Sequence, residues 1–291
     1  MQETLPRTLR SLEVAAQGLD VETIVIDDEA GNGLPWARNR GLERATGDCV
    51  FFVDADDTVE PGFFRLPITA LSNANADFCI FQYRGAPLKR KYTLSGRNVI
   101  RRAFLPAFIG YSMEDVRRWN RGGSLFHYRE PGSVCRACFR REFLERNHLR
   151  FDEDLRIYED AAFMSECALC AERTVSIAKD LYNYVPNPSG IIATVTGSRK
   201  HRDYKFAILR YRERLETMYG DVWPFCEASC VFSALEMMRM WRKAGLSFSE
   251  FRKDLSIYLA DERVKEAVRA FPISVRHPLV ALGVLLLRVL T

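Results

Sequence analysis

Cys49-Val50-Phe51-Phe52-Val53-Asp54-Ala55-Asp56-Asp57 decides the fold class, because five apolar residues run straight into three carboxylates packed within four positions. An apolar run of this kind is the pattern of a strand covered on both faces, as in an α/β sheet. In open α/β sheets ligands bind outside the carboxyl ends of the strands, so acids placed there are candidates for function rather than surface filler. Upstream, Val21 to Ile26 reads as a short β-branched strand that ends in Asp27-Asp28. Two strand ends bearing acids point to one shared crevice.

Around these strands the periodicity alternates. Leu5 to Ala16 has apolar positions at helical spacing and Gly18 ends it; Gly31 to Pro35 is a turn, and Pro35 opens a helix carrying Trp36 to Ala45. Pro61 opens another helix through Phe64 and Leu71, and Asp77 to Tyr83 supplies a third strand. Helices follow over Gly96 to Phe104 and Met113 to Trp119, then a strand over Ser133 to Phe139 and a short helix over Arg140 to Asn147. Tyr158-Glu159-Asp160 stands where a helix begins that continues to Ala171, and Val175 to Tyr184 is strand-like before a Pro-rich break at Pro186 to Gly190. Beyond Thr196 the pattern becomes long and helical, over His201 to Tyr219, Pro224 to Lys243 and Phe248 to Phe271. The expectation is an α/β domain over residues 1–196, with a mostly parallel central sheet flanked by helices, and a helical region over 197–291.

A chain of 291 residues buries a substantial core unaided, and 47% hydrophobic with 27% charged residues is the balance of a soluble globular protein. The formal charge of +4 argues against a nucleic-acid partner, and the arginine-rich runs lack the aromatic interleaving such a partner uses. Met1 to Leu12 has none of the charged, apolar and small-residue order of a secretion signal, so the chain is expected in the cytoplasm and its eight cysteines read as thiols. Cys135-x-x-Cys138 with Cys167-x-x-Cys170 has the count of a zinc site, but the second pair falls inside a helix and no Gly or Pro supplies a knuckle.

Asp54, Asp56 and Asp57 repel one another unless a cation or hydrogen-bond donors compensate them. Mg2+ or Mn2+ takes oxygen ligands and is often shared between carboxylates and substrate phosphates; an Asp-rich turn with a purely structural role is the competing reading. Glu159-Asp160 suits the first turn of a helix for electrostatic reasons alone, yet a carboxylate there can also take the proton of an attacking hydroxyl. His127, His148, His201 and His277 are scattered and offer no better base. Arg38 can face phosphates or solvent, and Trp36 can stack on a base or join the core.

Taken in order, Val25-Ile26-Asp27-Asp28, Gly33-Leu34-Pro35-Trp36-Ala37-Arg38-Asn39-Arg40-Gly41, Ala45-Thr46-Gly47-Asp48 and Phe52-Val53-Asp54-Ala55-Asp56-Asp57 resemble the family 2 glycosyltransferases. Phe139-Arg140-Arg141-Glu142-Phe143-Leu144, Phe151-Asp152-Glu153, Tyr158-Glu159-Asp160-Ala161-Ala162-Phe163 and Tyr182-Asn183-Tyr184 resemble the acceptor side of the same family, so the likeness covers about residues 5 to 195. The resemblance implies a GT-A fold and transfer of a sugar, with inversion, from a nucleotide diphosphate donor to a hydroxyl of a saccharide or lipid-linked saccharide, in the setting of surface-polysaccharide synthesis. It implies that Asp27 or Asp28 holds the nucleotide base, that Asp56 and Asp57 meet ribose, Mn2+ or Mg2+ and the diphosphate with Asp54 completing the turn, and that Asp160 is the general base. Arg38 joins the donor-binding set as a neutraliser of phosphate charge. Two departures accompany the likeness: the chain begins at what resembles the family's first helix, without the strand before it, and Asp28 reaches Gly33 through only Glu29 to Asn32. The donor side is thus expected to be truncated at its start and shortened within, which keeps open a second reading as a binding scaffold without turnover.

Leu279 to Leu290 is strongly apolar but falls short of the roughly 17 residues that span a bilayer. It either packs on the body or lies in a membrane interface as a peripheral anchor at the cytoplasmic face.

Overall fold

Three neighbouring strands take up the apolar runs of the first half of the chain: β1 (Cys49–Phe51), β3 (Phe78–Tyr83) and β5 (Ala137–Arg140). The computed structural model describes residues 4–83, 92–105, 110–125, 133–155, 158–185, 211–220, 222–242 and 245–291. The chain divides into two units, one comprising Met1–Phe104 with Glu130–Asn187, the other Leu105–Arg129 with Pro188–Thr291. The break at 186–190, the junction at 196/197 and the first half of the helix expected over 201–219 lie outside the described residues.

In the first unit β2 (Thr58–Val59), β4 (Thr93–Ser95) and β6 (Arg173–Asn183) complete one sheet of order β1-β5-β3-β6-β2, with β4 on the same outer edge of β6 as β2. β6 is long enough to pair with β4 at Arg173 to Val175 and with β2 at Tyr182 and Asn183. The α/β class stands, but the sheet is mixed: of the described pairings only β3 with β6 is parallel, because β5 runs against both of its neighbours.

The strand expected at 21–26 does not form. Among the described residues it has no ladder partner, and Val25 is 49% exposed. A β-branched run becomes a strand only where a neighbour takes its N–H and C=O groups, and β1, which ends the sheet on this side, is paired on one edge alone. The segment is held instead by Glu22, whose carboxylate accepts the N–H groups of Thr46 (2.6 Å) and Gly47 (2.8 Å) and the Thr46 hydroxyl (2.9 Å), just ahead of β1.

Helices α1 (Leu5–Ala15), α2 (Leu34–Arg44), α3 (Arg65–Ala74), α4 (Arg97–Phe104), α6 (Arg141–Arg146) and α7 (Glu159–Cys170) belong to this unit. Its core is aromatic, with Phe52, Phe63, Phe78, Phe81, Phe139 and Phe163 all buried. α1 secures the acidic turn after β1: the Thr8 hydroxyl donates to the Asp57 carbonyl at 2.6 Å, and Arg7 donates to the Asp56 carbonyl at 2.6 Å. The eight cysteines are free thiols, six of them buried.

The second unit is helical. α5 (Met113–Asn120), closed by a Ser112–Asp115 capping box, buries Met113 and Val116 in one cluster with Ala228 and Val231 of α8 (Glu227–Met240). α5 therefore lies with this unit, whereas a division at residue 197 leaves it in the first. The helix expected over 248–271 is two, α9 (Phe248–Tyr258) and α10 (Glu262–Ala270), because the Asp261 side chain accepts from Arg263 N and Val264 N and starts a new helix. α11 (Pro278–Leu290) ends the chain.

Replacing Thr8 with Val removes the buried donor to the Asp57 carbonyl and keeps the side-chain shape. Stability is expected to fall by about 1–2 kcal/mol, read as a lower urea midpoint for the first unit; an unchanged midpoint would show that α1 does not secure the turn.

Candidate active site

The turn at Asp28 to Gly33 aims α2. Asp28 accepts the Asn32 N–H (2.8 Å) and side-chain amide (3.0 Å) on one oxygen and the Gly33 N–H (2.6 Å) on the other. The Gly33 N–H, aided by Asn32, holds its pKa below the usual carboxylate range. Gly33 has φ +106°, which glycine adopts without penalty, and Pro35 lies in the first turn. Asp28 is therefore spent on the turn, while Asp27 is exposed. Trp36 is partly exposed, with the Arg40 guanidinium 5.9 Å from its ring centre.

One turn into α2, Arg38 reaches two separate elements. Its Nη1 donates to Glu159 at 2.9 Å and its Nη2 to Asp54 at 3.1 Å, with the guanidinium 5.4 Å from the Phe151 ring centre and the side chain 9% exposed. Burial opposes its charge, but Asp54, Glu159 and Asp160 outweigh burial and keep it protonated. Next to it, buried Asn39 donates to the Phe151 carbonyl (2.9 Å) and Glu153 (2.8 Å) and accepts the Phe151 N–H (2.9 Å). Phe151 in turn stacks on Phe163 of α7 at 4.1 Å and meets Phe52, at the exit of β1, edge-on at 5.2 Å. The ring cluster thus fixes the acidic turn against the start of α7.

α7 starts from Tyr158 at φ +64°, a left-handed conformation uncommon for a non-glycine residue, followed directly by Glu159 and Asp160. Glu159 is buried against Arg38; Asp160 is partly exposed and accepts the Ala161 N–H at 2.7 Å. Burial first and the Glu159 carboxylate second push the Asp160 pKa up to about 7, against the pull of Arg38 and the Ala161 N–H. A carboxylate poised near neutrality suits general-base work.

The acidic turn divides its three carboxylates. Asp54 faces Arg38, while its N–H donates to the Tyr182 hydroxyl at 3.1 Å. The Tyr182 hydroxyl donates to Asp57 at 2.6 Å, and the other Asp57 oxygen accepts the Val185 N–H at 2.7 Å. Asp57 is 1% exposed, its pKa is raised by burial, and its hydrogen bonds close the turn on β6. Among the described residues no three His, Cys, Asp or Glu side chains converge to hold a cation alone. Asp54 and Asp56 are the carboxylates of the turn that suit a hard divalent ion, provided diphosphate oxygens complete its shell.

The structure thus joins Arg38, Asp54, Glu159 and Asp160, sets Asp57 behind them, and leaves Asp27 and Asp28 on the preceding turn. The sequence alone gives no role to Asn39 or Tyr182, and it marks Cys135 only as half of a Cys-x-x-Cys pair; in the fold Cys135 is a buried thiol beside Arg38, Asp54 and Tyr182 whose pKa is pushed up by burial. Asn39 directly follows Arg38 within the Ala-Arg-Asn segment and Tyr182 opens Tyr-Asn-Tyr, so both lie in the motifs that carry the family resemblance, whereas the Cys-x-x-Cys spacing around Cys135 does not point to this site.

Residues 6–131 match the family model described as Glycosyl transferase family 2. The chain is 30% identical over 168 residues to the uncharacterized glycosyltransferase EpsJ of Bacillus subtilis (strain 168), covering 56% of this chain and 45% of that protein. It is 27% identical over 198 residues to the succinoglycan biosynthesis protein ExoO of Rhizobium meliloti (strain 1021), covering 59% and 53%. It thus spans about half the length of these two relatives. The crystal structure of S. aureus TarS 1–349 in complex with UDP-GlcNAc aligns at 16% identity and TM-score 0.46, over 95% of this chain and 66% of that one.

A carboxyl group raised from 3.8 to about 7 penalises the folded state increasingly as pH climbs between those values. Asp160→Asn is therefore expected to raise the melting temperature relative to wild type above pH 7, with the gain shrinking to nothing below pH 4. A gain equal at both ends of the range would count against the raised pKa.

Proposed function

Since this chain belongs to the family 2 glycosyltransferases, we propose that it transfers a sugar from a nucleotide diphosphate donor to a hydroxyl of a saccharide or lipid-linked saccharide, with inversion. The observation that carries this reading is the geometry: Asp160, partly exposed, opens α7 beside the network in which Arg38 joins Asp54 and Glu159, and burial with the Glu159 carboxylate raises its pKa. In the proposed step Asp160 takes the acceptor hydroxyl proton as its oxygen attacks the anomeric carbon. The bond from that carbon to the diphosphate oxygen breaks, and the electron pair leaves with the nucleoside diphosphate. Arg38 holds Glu159 and Asp54 in place beside Asp160.

A Mn2+ or Mg2+ ion held by Asp56 and Asp54 would neutralise the departing diphosphate. Asp27, at the end of the preceding segment, is proposed to meet the nucleotide base, with Asp28 shaping the turn. The relationship to a succinoglycan biosynthesis protein supports a polysaccharide setting.

A second reading, a glycosyltransferase-like scaffold that binds without turnover, is favoured by one observation: 21–26, on the donor side, lacks strand pairing. Calorimetry with UDP, GDP and dTDP sugars in Mn2+ separates the two, since absence of binding across the panel would support the scaffold.

If Asp160 is the base, Asp160→Asn lowers kcat about 10²-fold to 10⁴-fold while donor affinity survives. Wild-type kcat climbs with pH through about 7 as Asp160 ionises. Full turnover in the variant would move the role to Glu159. EDTA is expected to abolish donor binding and Mn2+ to restore it, with Asp56→Ala losing that response; equal affinity with and without chelator would leave Arg38 as the neutraliser of the diphosphate.

A further inference from the structure

α11 is fastened to its unit along one side only. Val284 and Leu287 are fully buried there, and a Cβ added to Gly283 would stand 2.5 Å from the Leu235 side chain, which shows how closely α11 lies on α8. Arg288 binds the helix down further by donating to the carbonyls of Val268 (3.2 Å), Arg269 (2.9 Å) and Phe271 (2.8 Å) around the end of α10. At its start His277 stacks on Trp119 of α5 with ring centres 3.4 Å apart. The orientation of α11 about its own axis is thereby set.

The opposite side consists of Leu279, Leu282, Leu285, Leu286, Val289 and Leu290, between 46% and 84% exposed. At 100° per residue these six fall within one continuous sector, about 140° wide, that holds no polar side chain. Val275, 95% exposed, extends the apolar surface into the preceding turn. From Phe271 to Thr291 the chain contains no Asp or Glu, while Arg276 and Arg288 stand at the two ends of the helix.

We propose that this sector is a membrane-docking face, which lays α11 flat in the headgroup region of an anionic bilayer with Arg276 at the level of the lipid phosphates. Three observations favour lipid over a protein partner. The sector is purely aliphatic, without the Trp, Tyr or Arg anchors around which protein interfaces concentrate their binding energy. The segment that carries it, Phe271 to Thr291, has no acid, and its flanking arginines complement anionic headgroups. Finally, thirteen residues of helix reach only about 20 Å, short of the roughly 30 Å hydrocarbon core, and among the described residues no helix is long and apolar enough to cross a membrane. The docking is independent of the sugar chemistry proposed above.

Flotation of the full chain tests this with phosphatidylcholine vesicles containing or lacking phosphatidylglycerol, alongside Leu282→Asp/Leu286→Asp. Both replaced side chains are exposed, and circular dichroism confirms that the variant remains folded. The expected result is flotation with the phosphatidylglycerol vesicles, weakened about a hundredfold in the variant, and reduced with Arg276→Glu or with phosphatidylcholine alone. Absence of flotation, or equal flotation of wild type and double variant, overturns the proposal. So does a concentration-dependent dimer in sedimentation that the same double variant dissolves while vesicles remain unbound, since the face would then join two copies of the chain.

Discussion

The Arg38 guanidinium is the constraint on which the site depends. It lies on α2, yet its two nitrogens end on the acidic turn after β1 and on the first turn of α7, so one buried cation ties three elements together. Four ionisable groups in so small a volume are tolerable only because each carboxylate has a donor or a compensating charge. Without Arg38, Asp54 and Glu159 would face each other and Asp160 unscreened. The same guanidinium tunes the candidate base: it restrains the rise that burial and Glu159 impose on Asp160, leaving that group able to ionise near neutral pH.

Around this centre the scaffold works through shape and hydrogen bonding. The rings of Phe52, Phe151 and Phe163 set the spacing between strand exit and helix start, and Asn39 locks the Phe151 backbone from both sides. Tyr182 performs a similar task from β6, taking the Asp54 N–H and giving its own proton to Asp57. Three aspartates of one short turn consequently do different things: Asp54 meets the cation, Asp57 braces the turn from within, and Asp56 stands between them with its carbonyl fastened to Arg7.

Much of this is legible in the residues themselves. The apolar run ending at Asp54 marks a strand and its acid-bearing exit, and Glu159-Asp160 marks the start of a helix, because both signals are local in sequence. The separate duties of Asp54 and Asp57 are not local, since both depend on the Tyr182 hydroxyl, more than a hundred residues away in sequence, and Asp54 also on Arg38 of α2. Val21 to Ile26 fails in the opposite sense: its composition favours a strand, but composition does not make a ladder, and among the described residues the run forms none although one edge of β1 is open. The single helix expected over 248–271 is interrupted because Asp261 competes locally for the backbone N–H groups of the next turn.

The free edge of β1 has a consequence for how the chain comes to be folded rather than for what it does once folded. Sheet edges are templates, and proteins usually cover them, charge them or keep them short. Here the edge is three residues long, which limits the damage, but an apolar β-branched run with unclaimed ladder groups is clamped by Glu22 to the turn just ahead of it. During synthesis or refolding, two copies at high concentration can pair through those groups before either chain has reached its own native arrangement. Recovery of native material is then a race between a unimolecular and a bimolecular process, and dilution favours the monomer.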